Sequence, residues 1–433
     1  MAVTVTTHQS WGSRLGNSLK GILAGLVIFV LAFPVLFWNE GRTVHRAKAL
    51  AEGESVCEES PETPDVALDG KLVHVTAEAV SDETLADDLF PVSVTGIRLR
   101  RVVEMYQWEE DSKSESKKNL GGSTDTVTTY TYHKRWLDRA EDSSDFQEAG
   151  HDNPPMPIDD AEVQASAVRL GGFELSDAVV GGIGGEKALA FDPGEGGFQP
   201  PFPAETAVIG GVVYLRPGLR RPDQDEGKTA PTNAAPETAA DVTAATNAAP
   251  ESAAAVVATN AAPSAAVPSF ATAPEIGDVR VSFRYVPNHT VSVVAKQTGS
   301  GLGAFQTKNG PVLLVSDGAK TAEEMFAAAK SANKMIAWLI RLGGFLMMLF
   351  GVRMVLGPLE VLADVVPLIG RIVGFGTGLV AAIVAIPCTL VTIAIAWIAN
   401  RPVLGIALLI GAVASVVLLV RRGRRTAEPA NAE

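Results

Sequence analysis

Four long apolar runs decide most of what this chain can fold into. Gly21–Trp38 carries no charge for 18 residues, and Met335–Leu356 is apolar except for Arg341 and Arg353. Ile372–Ile398 is uncharged for 27 residues and Val403–Val420 for another 18. At ~1.5 Å per helical residue the shortest of these spans ~27 Å, close to the hydrocarbon thickness of a bilayer. One such run can hide in a soluble core, but four in one chain predict four transmembrane helices, one N-terminal and three C-terminal. Ala399-Asn400-Arg401-Pro402 alone separates the last two, which reads as a tight hairpin. The first run is longer than a signal-peptide core and lacks a small-x-small cleavage pattern, and Phe37-Trp38-Asn39-Glu40 resembles an interfacial anchor, so it is expected to stay.

Charge divides along the same line. The chain has 433 residues and a net charge of −13. From Met335 onward eight basic residues face four acidic ones, a net of +4, and residues 1–41 add +1, which leaves −18 on residues 42–334. An acidic, water-loving middle portion therefore sits between apolar segments with basic edges. Such a balance offers no net attraction to phosphate backbones and argues against nucleic acid as a partner. The cluster Arg421-Arg422-Gly423-Arg424-Arg425 after the last run places the C-terminus inside, and four spans then place the N-terminus inside too. Arg42, Arg46 and Lys48 pull the other way. Two cysteines, Cys57 and Cys388, exclude a disulfide framework and read as lone thiols, with an intermolecular bridge through Cys57 as the alternative on an oxidising side.

Between the first two spans the chain reads as a β-rich α+β domain. Val279, Val281, Phe283 and Tyr285 alternate with polar neighbours at period two, as do Ile97, Leu99, Val103 and Met105. Thr126–Tyr132 is almost wholly β-branched or aromatic. Further strands are expected at 72–80, 211–215, 290–295 and 312–316, with glycine pairs and Pro154-Pro155 at the turns. Thr321-Ala322-Glu323-Glu324 is a capping box that should start a helix leading into the second span. Residues 221–274 repeat Thr-Asn-Ala-Ala-Pro in a background without large apolar side chains, which predicts a disordered insert.

The expected partition is a cytoplasmic tail over 1–20, a first span over 21–38 and an acidic domain over 39–334 on the far side. A second span over 335–356, an interfacial cytoplasmic loop over 357–371, spans over 372–398 and 403–420, and a basic cytoplasmic tail over 421–433 complete it.

The search for chemistry returns little. His8, His45, His74, His133, His151 and His289 are scattered, and no Cys-x-x-Cys or His-Glu-x-x-His occurs, so neither a metal nor a cofactor is expected. Gly299–Gly303 lacks the order of a nucleophile elbow, and Gly181–Lys187 lacks the spacing of a phosphate loop. Asp87-Asp88, Glu109-Glu110-Asp111 and Asp159-Asp160 read as a solvated acidic face. Asn288-His289-Thr290 is a glycosylation sequon, of consequence only in a compartment that glycosylates. No catalytic set emerges, and the chain reads as non-enzymatic. A channel or transporter, the alternative, would need Arg341, Arg353, Asp364 and Arg371, because charge at membrane depth is costly and commonly functional, with Gly374, Gly376, Gly378 and Pro387 marking close packing or a kink.

Several stretches nevertheless resemble one family. Phe37–Arg42 (FWNEGR), Arg98–Glu109 (RLRRVVEMYQWE), Tyr130–Trp136 (YTYHKRW), Gly150–Pro154 (GHDNP), Leu170–Ser176 (LGGFELS), Gly277–Phe283 (GDVRVSF) and the Arg401-Pro402 hairpin resemble, in order, the transmembrane protein 43 (LUMA) family. The resemblance implies four spans, both termini on the cytoplasmic or nucleoplasmic side and a large luminal domain. It also implies residence in the endoplasmic reticulum and inner nuclear membrane, self-association, and a role in organising the nuclear envelope through emerin and lamins. It brings no catalytic residues. The insert looks bacterial in composition, for which the corresponding place is the cytoplasmic membrane with the domain outside. The expected function is a self-associating scaffold that organises membrane proteins, with the bilayer, copies of itself and other envelope proteins as partners.

Overall fold

The computed structural model describes residues 2–194, 198–218 and 272–400. The expected fourth span at 403–420, the basic tail and nearly all of the insert at 221–274 lie outside these residues. Among the described residues three helices are long and apolar enough to cross a membrane.

The chain opens not with the expected tail over 1–20 but with strand β1, Ala2–Gln9, whose alternating Val and Thr suit a pleated edge. Ser10 then caps α1, Trp11–Val56, by accepting a hydrogen bond from the Ser13 N–H. At 46 residues α1 is ~69 Å long and far exceeds the apolar run 21–38. The domain supplies its principal strands in the order β2 (Leu72–Val80), β3 (Arg98–Lys118), β4 (Thr124–Leu137), β5 (Ala204–Ile209), β6 (Val212–Pro217), β7 (Val279–Val286), β8 (His289–Thr298) and β9 (Leu314–Asp317). The capping box at Thr321 and Glu324 forms and starts α2, Ala322–Ala363, which runs unbroken from the domain through the second apolar run. Residues 357–371, expected as an interfacial loop, are instead mostly helical. α2 continues through Pro358 to Ala363, and Pro367, whose missing N–H costs nothing at a first helical position, opens α3, Pro367–Asn400.

Two sheets make the domain. An eight-stranded sheet runs β1-β4-β3-β7-β6-β5, with two short strands beside it. In the second, seven-stranded sheet β8 lies between β2 and β9. The second sheet is buried on both faces, and this explains its near-continuous apolar run. Val73, Val75, Val291 and Val293 face Leu99, Val103, Val281 and Phe283 of the first sheet. Leu72, Val294 and Leu314 on the other face pack with Ala49 and Leu50 of α1 and Met325 and Phe326 of α2. The membrane helices are thus also the third layer of the domain, and a rigid link follows.

The 21-residue strand β3 has two halves. Arg98–Met105 pairs with β7 inside the domain, whereas Met105–Lys118 pairs only with β4, and β4 in turn carries β1 on its outer edge from Thr124 to Thr131. This three-stranded arm extends ~43 Å beyond the core at ~3.3 Å per residue. One face shows Ser112, Ser114 and Ser116, and the other Asp111, Lys113, Glu115 and Lys117, because side chains alternate.

Candidate functional site

α1 and α2 run antiparallel, with α3 packed against both. Small residues set their spacing: a Cβ built on Gly25 would lie 2.6 Å from the Gly351 carbonyl oxygen, and one on Gly351 2.7 Å from that of Gly25. Gly344 leaves room for the Leu36 side chain in the same way. Ala32, Leu36, Met348 and Ala385 fill the middle. Outward, Leu23 and Val30, Leu339 and Phe350, and Ile383 and Leu390 are exposed, as lipid contact requires.

Polar side chains gather at the two ends. At the end nearer the domain, Glu40 is 1% exposed and accepts both Arg341 Nε at 2.6 Å and Arg341 Nη2 at 2.8 Å. Trp397 Nε1 donates to the same carboxylate at 2.7 Å, and the guanidinium lies over the Trp338 and Trp397 rings at 5.0 and 5.8 Å. Beside it Asn39 Nδ2 donates to the Ala337 carbonyl and Asn333 Nδ2 to that of Thr43. Asn39 Oδ1, Thr43 Oγ1 and Asn333 Oδ1 stay buried without a protein partner, as do Arg42 Nε and Nη2, a set suited to ordered water. The stretch Phe37–Arg42 therefore has a structural reason: Asn39 and Glu40 lock α1 to α2 and α3, and Gly41 lets Asn400 approach.

About 39 Å along α1 from Glu40, at ~1.5 Å per residue, lies Arg14 and the second cluster. Asp364, fully buried, accepts Arg14 Nη2 at 2.5 Å and Lys118 Nζ at 2.8 Å. Lys118 also reaches Glu360 at 3.3 Å. Lys118 belongs to the tip of the arm, which docks here through two more bonds. Gly121 N–H donates to the Val365 carbonyl at 3.0 Å, and Arg14 Nη1 donates to the Gly122 carbonyl at 2.5 Å. Gly121 and Gly122 have φ of 89° and 82°, and a side chain on Gly122 would also strike the Trp11 ring.

Of the residues a transport reading requires, Arg353, Asp364 and Arg371 lie together at this end, while Arg341 lies at the other. Between the clusters the helix interface is apolar, and its buried threonines bond within the bundle: Thr377 to the Gly374 carbonyl, Thr392 to that of Cys388, Thr389 to Met348 Sδ. These side chains form no polar file from one cluster to the other. Lys118, Glu360 and Arg14 were not read as site residues in the sequence, since nothing local marks a strand tip as the partner of a helix terminus about 250 residues away.

The arm's course has a physical consequence. β1 precedes α1 and β4 follows it, yet they pair over eight residues, so the arm accompanies the bundle along its apolar length. Hydrocarbon cannot solvate Asp111, Lys113, Glu115 or free strand edges, so arm and lipid exclude each other on that flank.

At the arm's root three of the distinctive stretches converge. Asn153 bridges the Trp108 backbone, accepting its N–H at 2.8 Å and donating to its carbonyl at 2.9 Å. His151 stacks on Tyr132 with centroids 3.9 Å apart and meets Trp108 edge-on at 4.5 Å. The Tyr132 hydroxyl donates to Glu110 at 2.6 Å, and burial, aided by this carboxylate, pushes the phenol up to about 12. No group of three or more His, Cys, Asp or Glu placed to hold a metal ion occurs among the described residues.

Long apolar helices with ion pairs at both ends, joined to a β-rich domain, define a multi-span integral membrane protein. A profile of the family described as Transmembrane protein 43 matches residues 105–402. The chain is 30% identical over 439 residues to Transmembrane protein 43 of Mus musculus, covering 98% of this chain and 95% of that protein. It is 29% identical over 437 residues to the Homo sapiens protein, covering 98% and 94%, and 28% identical over 410 residues to the Transmembrane protein 43 homolog of Drosophila melanogaster, covering 92% and 94%. The chain belongs to the Transmembrane protein 43 family. No solved structure matches it.

Proposed function

We propose that this protein is a non-enzymatic, self-associating scaffold that organises other proteins in its membrane, with a fourth span over 403–420 completing the bundle. The observation that carries the reading is the continuity of α1 and α2 from the apolar runs into the domain core, where Leu50 and Phe326 are fully buried. A domain held this rigidly presents a fixed surface to its neighbours, as a platform needs. In a bacterial host the compartment would be the cytoplasmic membrane; emerin- and lamin-type partners belong only to a eukaryotic one.

Crosslinking in native membranes followed by mass spectrometry is expected to recover ladders of this chain and a small, reproducible set of membrane proteins. Recovery of monomer alone, free of partners at every crosslinker length, would sink the proposal.

A further inference from the structure

A cavity of about 500 Å³ opens beside the Asp364 cluster, between the arm tip, α2 and α3. Its charge does not balance. Lys118 and Arg14 are engaged by Glu360 and Asp364, whereas Arg353 and Arg371, which also line it, have no ion pair among the described residues. Two guanidiniums are thus left facing one cavity at the end of the apolar bundle.

The shape of the wall is equally specific. On α3, Gly370, Gly374 and Gly378 recur every four residues and line one side of the helix with no side chains of their own. The first two glycines are required by the protein itself, since a Cβ on Gly370 would strike Asp364 and one on Gly374 would come within 2.9 Å of Glu360 Oε1. Gly378 has no such neighbour: the nearest atom is Arg353 Nη1, at 4.0 Å. This side is therefore open at Gly378, next to a guanidinium. Phe375 and Leu379, 78% and 54% exposed, flank it and continue into the lipid-facing surface.

We propose that this cavity binds an anionic glycerophospholipid, its phosphate held by Arg353 and Arg371 and an acyl chain laid over Gly378 between Phe375 and Leu379. Guanidinium groups match phosphate oxygens in planar, charge-assisted pairs, and an apolar surface leading away from them fits a chain on the same molecule. Snorkelling to water would explain either arginine singly, but it requires neither a cleared surface at Gly378 nor Lys118 closing the site from the arm. Free phosphate would use the arginines and leave Phe375 and Leu379 without a role.

The test uses the full chain purified in mild detergent, with native mass spectrometry after addition of phosphatidylglycerol or phosphatidylcholine. One phosphatidylglycerol per chain is expected to survive detergent exchange, and phosphatidylcholine is not. R353Q/R371Q should weaken retention by about tenfold or more, as loss of charge-assisted pairs implies. Gly378→Leu should do the same with both cations intact, and R371Q alone, an exposed change, gives the answer if the double variant does not fold. Equal retention of the two lipids, or undiminished retention in R371Q and Gly378→Leu, would overturn the proposal. Displacement of the lipid by millimolar inorganic phosphate would also overturn it and leave a phosphate site alone.

Discussion

Glu40 of α1 and Arg341 of α2 form a two-pronged ion pair at one end of the bundle, with the carboxylate almost wholly out of solvent. A Glu40 carboxylate stranded there is cut off from bulk water. Removing one member of such a buried pair costs about 3–5 kcal/mol, whereas removing both costs less than the sum. Thermal unfolding in detergent should therefore show Glu40→Ala and Arg341→Ala each strongly destabilised and the double variant nearer to either single one. Arg341→Lys should recover little, because an ammonium cannot serve both carboxylate oxygens and stack on Trp338 and Trp397 together. Additive losses would show that the pair is not coupled.

The facing glycines make a separate prediction about packing. Gly25 and Gly351 allow α1 and α2 to approach until each glycine meets the other's carbonyl. In lipid, helix association depends on this contact because no hydrophobic drive remains between them. Gly351→Val should cost about 1–3 kcal/mol through overpacking and raise protease access near Leu50 and Phe326. Gly343→Val, at a site with no atom within 4 Å, should be neutral, and equal behaviour of the two would refute the account.

Cys57 follows the end of α1, half-buried and beside two carboxylates. Burial, then Glu59, then Glu58 push its thiol up to about 11. A raised value favours the neutral thiol, so at pH 8 the reactive thiolate is about 100-fold scarcer than in an ordinary cysteine. Alkylation should be slow at neutral pH and gain about tenfold per pH unit until the thiol titrates. The same shift makes folding stability fall as pH rises from the ordinary thiol range through about 11, since the unfolded chain ionises first. Glu58→Gln with Glu59→Gln should speed alkylation, and a rate that levels off below pH 10 would contradict the burial argument.

What the sequence made legible follows from what each signal encodes. Apolar length found α1, α2 and α3 as membrane helices, and period-two alternation found the buried halves of β3 and β7, because both patterns record one residue's solvent. The capping box at Thr321 worked because its two bonds close within four residues. The arm was legible only in Thr126–Tyr132, for the opposite reason. The outer half of β3, Ser112–Lys118, is polar on both faces, so alternation carries no apolar signature, and β1, on the far edge of β4, read as part of a cytoplasmic tail over 1–20. Asp364 was singled out by charge alone. Its partners Arg14 and Lys118 come from sequence positions that only the fold joins.

The pairing of β1 with β4 bears most directly on how the protein sits in its membrane. Val5 lies opposite Thr128 in the register, with α1 between them in the chain. If α1 crosses the bilayer and the arm stands on one side, these residues are in different compartments and cannot meet. If the arm accompanies the bundle, as the docked Lys118 and Gly121 require, they are neighbours. A Val5→Cys/Thr128→Cys chain with Cys57 and Cys388 replaced by serine should form an internal disulfide in native membranes under mild oxidation. Val5→Cys with Lys134→Cys, out of register on the same strand, should not. Crosslinking of the first pair, seen as a mobility shift reversed by reductant, demands that the arm be shielded from lipid by protein or water. Failure of the first pair, in chains that remain folded by the Glu40–Arg341 measure, would show that the arm leaves the bundle when lipid surrounds it.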